Sequence, residues 1–201
     1  RNTAAAIGYS AKVLSQSNPD AIIAVFPADH VITTTKPFLE LLKQAEAIAN
    51  KNHLVTLGIK PTSPETGYGY IKQGKPIEGN SFKVDRFIEK PDKVAAEKYL
   101  KEGGYYWNSG IFVWKASTLL NEINTHLPKL YERLEELADK TAQIKGKYPY
   151  QKLNESGKKI FHSLESISID HGVLEKSSEV AVLPADIEWN DVGTWTSLAE
   201  I

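Results

Sequence analysis

Cysteine and methionine are both absent from this 201-residue chain. Without cysteine there are no disulfides, no cysteine-ligated zinc sites and no thiol chemistry. The lack of methionine, with Arg1-Asn2-Thr3 at the start, makes the chain read as a piece of a larger protein. No apolar run approaches the ~20 residues of a membrane-spanning helix, and no basic-then-apolar leader opens the sequence. Excess charge is missing too. At a net charge of −1, neither nucleic acid nor a membrane surface is the expected partner, since each favours a basic stripe. The GxGxxG spacing of dinucleotide sites and the GxSxG elbow of serine hydrolases do not occur. His53, His126, His162 and His171 lack metal-ligand spacing and read as structural or surface residues. The chain reads as cytoplasmic, and its Asn154-Glu155-Ser156 sequon is expected to carry no sugar.

What is present suits one α/β domain: 41% hydrophobic and 24% charged residues, with no repeats, low complexity or linker. Residues 3–14 form a helical stripe (Ile7, Ala11, Leu14) with Asn2 or Thr3 as cap. A strand over 21–26, apolar on both faces, leads to a helix capped by Thr35 with Pro37 in its first turn, then to a strand over 53–59. Strand, helix, strand implies a right-handed crossover and a parallel sheet. Shorter, more polar strands follow at 68–72 and 82–89. Asp92 caps a helix ended by Gly103-Gly104, and 105–115 is a strand with Asn108-Ser109-Gly110 set into it. Two helical stripes meet at Pro128, the span 140–159 reads as a solvated loop or short helix, and 179–183 and 187–189 are the last strands.

Four stretches place polar side chains at the ends of, or inside, apolar strands: FPADH (26–30), FIEKP (87–91), WNSGIF (107–112) and WNDVG (189–193). Each alone is equally readable as a structural turn or a satisfied core polar group. In open α/β sheets, however, ligands bind beyond the carboxyl ends of the strands. Taken together the stretches offer two carboxylates for a hard cation, a lysine for a phosphate, and a glutamate and an asparagine for hydroxyls. That inventory suits a sugar phosphate and a metal-bound nucleotide. The glycines of TGYGY (66–70) allow a backbone to approach a ligand, or make a tight turn.

The ordered series RNTAAAI, FPADH, ETGYGYI, FIEKP, WNSGIFVW, SISIDHGVLEKS and WNDVGTW resembles the bacterial mannose-1-phosphate guanylyltransferases, a branch of the sugar-nucleotide pyrophosphorylases. The resemblance runs from the first residue to the last. It implies a Rossmann-like nucleotidyltransferase fold: a mixed, mainly parallel sheet flanked by helices, in one partial catalytic domain over 1–201. Residues 1–60 would be the remainder of the nucleotide-binding half and 61–201 the sugar-phosphate half. The implied reaction joins GTP and mannose 1-phosphate to give GDP-mannose and pyrophosphate. The implied catalytic residues are Asp29, Lys90 and Asp191, with Asp29 and Asp191 holding Mg²⁺. Glu89 and Asn108 would bond mannose hydroxyls beside the backbone of Gly69, Lys90 would meet the sugar phosphate, and Arg1 and Asn2 would lie near the nucleotide. Asp170 matches a motif without an assigned role.

Two departures stand out. Ala5 occupies a position that is usually proline, and the glycine-rich GGxGTRLWPLSR loop has no counterpart, so the chain is read as N-terminally truncated and inactive by itself. Another hexose-1-phosphate nucleotidyltransferase, or a non-catalytic sugar-phosphate-binding module, stays open, as does a homo-oligomer.

Overall fold

The computed structural model describes residues 2–144 and 150–193. In chain order its elements are α1 (Thr3–Ser15), β1 (Ile22–Val25), β2 (Val31–Ile32), α2 (Thr35–Ala49), β3 (Leu54–Ile59), β4 (Tyr70–Pro76) and β5 (Phe82–Ile88). They continue with α3 (Lys93–Glu102), β6 (Tyr105–Lys115), α4 (Ala116–His126), α5 (Pro128–Ala138), β7 (Thr141–Ile144) and β8 (Tyr150–Leu153). The last are α6 (Glu155–Ser163), a π-helical turn (Asp170–Leu174), β9 (Val180–Ala185) and β10 (Trp189–Asn190). The chain divides into two compact units that interleave in sequence. One comprises Arg1–Ala21 with Ala116–Ser177, the other Ile22–Lys115 with Ser178–Ile201.

The second unit is built on a six-stranded sheet of order β1-β6-β3-β9-β5-β4, with β6 also pairing β4. The sheet is mixed, but the expectation that it is mainly parallel is corrected. Among the described pairings only β3–β9 is parallel, and the other five ladders of this sheet are antiparallel. The crossover argument from β1–α2–β3 gives the right directions, because both strands run antiparallel to β6. It misses that β6 lies between them, a pairing set by a strand fifty residues later and invisible to local pattern. All six residues of β3 are buried, as a strand with neighbours on both edges requires. By contrast β1 pairs only β6 among the described residues, and Phe26 just beyond it is 47% exposed despite the uniformly apolar sequence. Ala45, Ile48 and Ala49 of α2 pack with Val55 and Leu57 of β3 and Val113 of β6 in one core cluster.

The helix α2 begins as its proline predicts, but its N-cap is Thr34 rather than Thr35, and Thr34 makes no side-chain cap bond. Its hydroxyl instead accepts from the Glu188 N–H at 3.2 Å. Asp92 caps α3 as expected, accepting from Ala95 N–H at 2.8 Å, and Gly103 ends it at φ +70°.

In the first unit Asn2 caps α1 through a 2.8 Å bond from Thr3 N–H. The buried face of α1 is Ala4, Ala5, Gly8 and Ala11, not the Ile7–Leu14 stripe, and Leu14 is 44% exposed. Close packing explains the preference for small residues. A methyl group on Gly8 would meet Leu134 Cδ1 at 2.8 Å and Ile123 Cδ1 at 3.1 Å. Ala5, the departure from proline, is itself buried within this face.

The span 140–159 is more ordered than its composition suggests: β7 and β8 form an antiparallel ladder and α6 follows. Asn154 of the sequon is the N-cap of α6, accepting from Gly157 N–H at 2.9 Å and from the Ser156 hydroxyl at 2.7 Å. Asp170 opens the π-helical turn, where its carbonyl accepts from Glu175 N–H at 2.9 Å.

Candidate active site

Two loops of the second unit are brought together by a ladder too short to show periodicity. β2 and β10 pair antiparallel, Val31 opposite Asn190 and Ile32 opposite Trp189. The register carries His30 towards Asp191 at one end of that ladder, so the FPADH loop enters where the WNDVG loop leaves. Trp189 Nε1–H donates to His30 Nδ1 at 3.1 Å, and the two rings meet edge to face at 5.3 Å. An indole nitrogen only donates, so Nδ1 carries the lone pair and the imidazole proton sits on Nε2. Burial pushes His30 below the usual histidine range, against the Asp29 and Asp191 carboxylates, which both act to raise it. Both acids are therefore close enough to be felt by one imidazole.

The backbone around Asp191 is sharply turned. Val192 has φ +51°, rare for a β-branched residue, and its N–H donates to Asn190 Oδ1 at 2.7 Å. Asp191 Oδ1 accepts twice, from the Tyr68 hydroxyl at 3.0 Å and from Gly193 N–H at 3.2 Å. Tyr68 is packed edge-on against Trp107 (5.1 Å) and Trp189 (5.5 Å).

One residue beyond Tyr68, the Gly69 carbonyl accepts from Asn108 N–H at 2.8 Å. A methyl group on Gly69 would fall 2.5 Å from Glu89 Oε2 and 3.3 Å from Asn108 Cβ, so only glycine leaves room for that carboxylate. Glu89, Gly69 and Asn108 thus meet at one point. The Asn108-Ser109-Gly110 segment is a bulge in β6: Gly58 pairs Asn108 while Thr56 pairs Phe112. Gly110 sits at φ +70°, its Cβ position 3.3 Å from Pro27 Cγ and 3.9 Å from His30 Cε1. Asn108 Oδ1 accepts from Gly110 N–H at 3.1 Å and from the Thr56 hydroxyl at 3.2 Å. The bulge therefore carries the polar side chain of Asn108 and also abuts the FPADH loop.

Lys90 is a second left-handed residue (φ +46°), fixed between β5 and Pro91. Its side chain is 65% exposed, with Nζ 4.0 Å from Glu89 Oε1. It presents an accessible cation beside the Glu89 carboxylate.

Of the residues expected from sequence, Asp29, Gly69, Glu89, Lys90, Asn108 and Asp191 all fall in this unit. Asn2 belongs to the other unit, where it caps α1, and Arg1 lies outside the described residues. Sequence reasoning passed over Tyr68, Thr56 and the Trp189–His30 pair. Tyr68 and Trp189 lie inside quoted motifs, but nothing local links them to partners 123 and 159 residues away. Among the described residues no three acidic or histidine side chains cluster as a complete metal cage. Two carboxylates fit a Mg²⁺-type ion, which is held by one or two protein carboxylates plus substrate phosphates.

The nucleotidyl transferase family pattern matches residues 1–201. The chain is 42% identical over 201 residues to the xanthan biosynthesis protein XanB of Xanthomonas campestris pv. campestris, covering all of this chain and 41% of that protein. It is 40% identical to mannose-1-phosphate guanylyltransferase 2 of Escherichia coli O157:H7, covering 100% of this chain and 42% of that one. The chain thus spans about two fifths of the curated relatives it matches. A solved structure from Thermus thermophilus, described as mannose-1-phosphate geranyltransferase, superposes with TM-score 0.84 at 34% identity, covering 100% of this chain and 55% of that one. A UDP-glucose pyrophosphorylase complexed with UDP-glucose (TM-score 0.54, 16% identity, 96% of this chain and 59% of that one) shares the fold alone. Nucleotidyltransferases of this kind generally use a divalent metal. No described helix is long and apolar enough to cross a membrane. On the match over its whole length, the chain belongs to the nucleotidyl transferase family.

Proposed function

We propose that this chain carries the sugar-phosphate and metal-holding part of a mannose-1-phosphate guanylyltransferase. A phosphate oxygen of mannose 1-phosphate attacks the α-phosphorus of GTP. The α–β bridging P–O bond breaks, and pyrophosphate leaves opposite the new P–O bond of GDP-mannose. Such a transfer needs alignment and charge neutralisation rather than a protein nucleophile. Glu89 and Asn108 bond mannose hydroxyls beside the Gly69 backbone, and Lys90 meets the sugar phosphate as a point charge. Asp29 and Asp191 hold Mg²⁺, which supplies neutralisation of the phosphate oxygens. In this reading residues 1–60 belong to the GTP side and residues 61–201 to the sugar side. The protein works in the cytoplasm.

The observation that carries this reading is the meeting of Glu89, Gly69 and Asn108 one residue from the phenol that bonds Asp191. A pure sugar binder would have no use for carboxylates on two loops converging on His30. The relatives named mannose-1-phosphate guanylyltransferase support mannose and guanine as the sugar and base. The test is an assay of the intact protein with each pairing of GTP, UTP and dTTP with mannose 1-phosphate and glucose 1-phosphate. GDP-mannose as the dominant product is expected. Preference for another pair, or sugar-phosphate binding without turnover, would reject the proposal.

A further inference from the structure

We infer that Tyr68 is a positioning residue that couples sugar-phosphate occupancy to the metal-holding competence of Asp191. The inference rests on the functional reading above and concerns a residue that binds neither substrate nor metal in it.

The phenol O–H donates to Asp191 Oδ1 at 3.0 Å, and Gly193 N–H reaches the same oxygen at 3.2 Å. Among the described residues Oδ2 accepts no hydrogen bond. Two donors on one oxygen fix the plane of the carboxylate that holds the cation in this reading. The choice of donor matters. A lysine or arginine at this place would neutralise the acid and repel a cation, whereas a phenol orients the carboxylate and leaves its charge in place.

The bland alternative is a half-buried tyrosine that needed some acceptor. Its surroundings argue for more. Its ring is held edge-on by Trp107 and Trp189, at 64° and 65°. Trp107 adjoins Asn108, and Trp189 stands two residues before Asp191. Tyr68 itself adjoins Gly69, whose carbonyl is bonded by Asn108 N–H at 2.8 Å. A sugar phosphate settling on Gly69, Glu89 and Asn108 therefore presses on the residue whose hydroxyl sets Asp191. By linkage, a metal that orders Asp191 tightens the sugar pocket by the same factor.

The experiment is a titration of the intact protein with Mn²⁺, followed by electron paramagnetic resonance, without nucleotide and with or without mannose 1-phosphate. The native protein is expected to bind Mn²⁺ several-fold more tightly when the sugar phosphate is present. Tyr68→Phe removes one oxygen and keeps the ring, and near-UV circular dichroism checks that the aromatic cluster is intact. In this variant Mn²⁺ binding should weaken by about tenfold, in keeping with loss of a hydrogen bond to a charged group, and the gain from mannose 1-phosphate should disappear. Its turnover should recover to near the native value at high Mg²⁺, which damage to the fold would not allow. Mn²⁺ affinity and sugar-phosphate gain both within twofold of native would overturn the inference while leaving the guanylyl-transfer reading intact. A native protein that forms no GDP-mannose yet shows the Tyr68-dependent gain would support the inference and sink that reading. Absence of any Mn²⁺ binding by the native protein would overturn both.

Discussion

Asn108 and Gly69 are joined back to back: the amide of one donates to the carbonyl of the other at 2.8 Å, on the spot where the Glu89 carboxylate arrives. No side chain can be added at Gly69 without disturbing that carboxylate.

Gly69→Ala tests the contact directly. Its methyl group would lie 2.5 Å from Glu89 Oε2, so the carboxylate must swing away. The KM for mannose 1-phosphate is expected to rise about tenfold or more, the loss of one hydrogen bond to a bound hydroxyl. The KM for GTP should stay within about threefold of native, since in our proposal the nucleotide binds elsewhere. An unchanged sugar-phosphate KM would remove Glu89 from the sugar pocket.

Glu89→Gln and Asn108→Ala should differ in a second property. Both are expected to impair use of mannose 1-phosphate more than of GTP. Asn108→Ala also deletes the acceptor for Gly110 N–H and the Thr56 hydroxyl, so it should cost about 1–3 kcal/mol of stability as well. Denaturant unfolding beside steady-state kinetics separates the effects. Equal stability of the two variants would contradict the structural role given to the bulge.

Asp191→Asn should abolish most turnover, about a hundredfold or more, with little change in melting temperature. An asparagine oxygen can still accept from Tyr68 and Gly193, so the loop keeps its shape while the cation loses a charged ligand. Activity within threefold of native would dismiss the metal role of this residue.

Gly58→Ala is a core prediction. Its Cβ would approach Val182 Cγ2 at 2.6 Å and Tyr106 Cβ at 2.8 Å, and the neighbours are packed strands. Destabilisation by about 1–3 kcal/mol is expected from overpacking, measurable by urea unfolding.

Asn154→Ala should cost about 1 kcal/mol through loss of the α6 cap and leave kinetics unchanged. Thermal melting of this variant against Ser156→Ala would show whether the sequon is a helix start.

How much of this was legible in the sequence depended on the range of each interaction. Asp92 and Gly103 bracket α3, and Asn2 caps α1, because caps act within a few residues. The parallel relation of β1 and β3 was readable from the intervening helix, yet the insertion of β6 between them was not, since that pairing spans the chain from Ile22 to Lys115. β7 and β8 have four residues each in a lysine-rich stretch, too few for the Thr-Ala-Gln-Ile alternation of β7 to stand out, and Tyr-Gln-Lys-Leu of β8 does not alternate. β2 and β10 have two residues each, too few for any period, and yet they bring the Asp29 and Asp191 loops together. Residue types at the candidate site were recognisable because carboxylates and amides at strand ends are conspicuous. The bonds that organise them, Tyr68 to Asp191 and Trp189 to His30, join distant segments and became visible only in three dimensions.

The interleaving of the two units has a consequence for biosynthesis. β9 lies in the middle of the strand order, between β3 and β5, but is among the last strands in sequence. A nascent chain that has emerged only as far as Lys115 holds β3 and β5 with the place between them unfilled, and their unpaired edges must wait while some sixty further residues are translated. Residues 116–177 meanwhile build the other unit, which itself needs the first 21 residues of the chain. Neither unit can close before these segments have emerged, so chaperone demand should be highest while residues 116–179 are being translated and fall once β9 has docked.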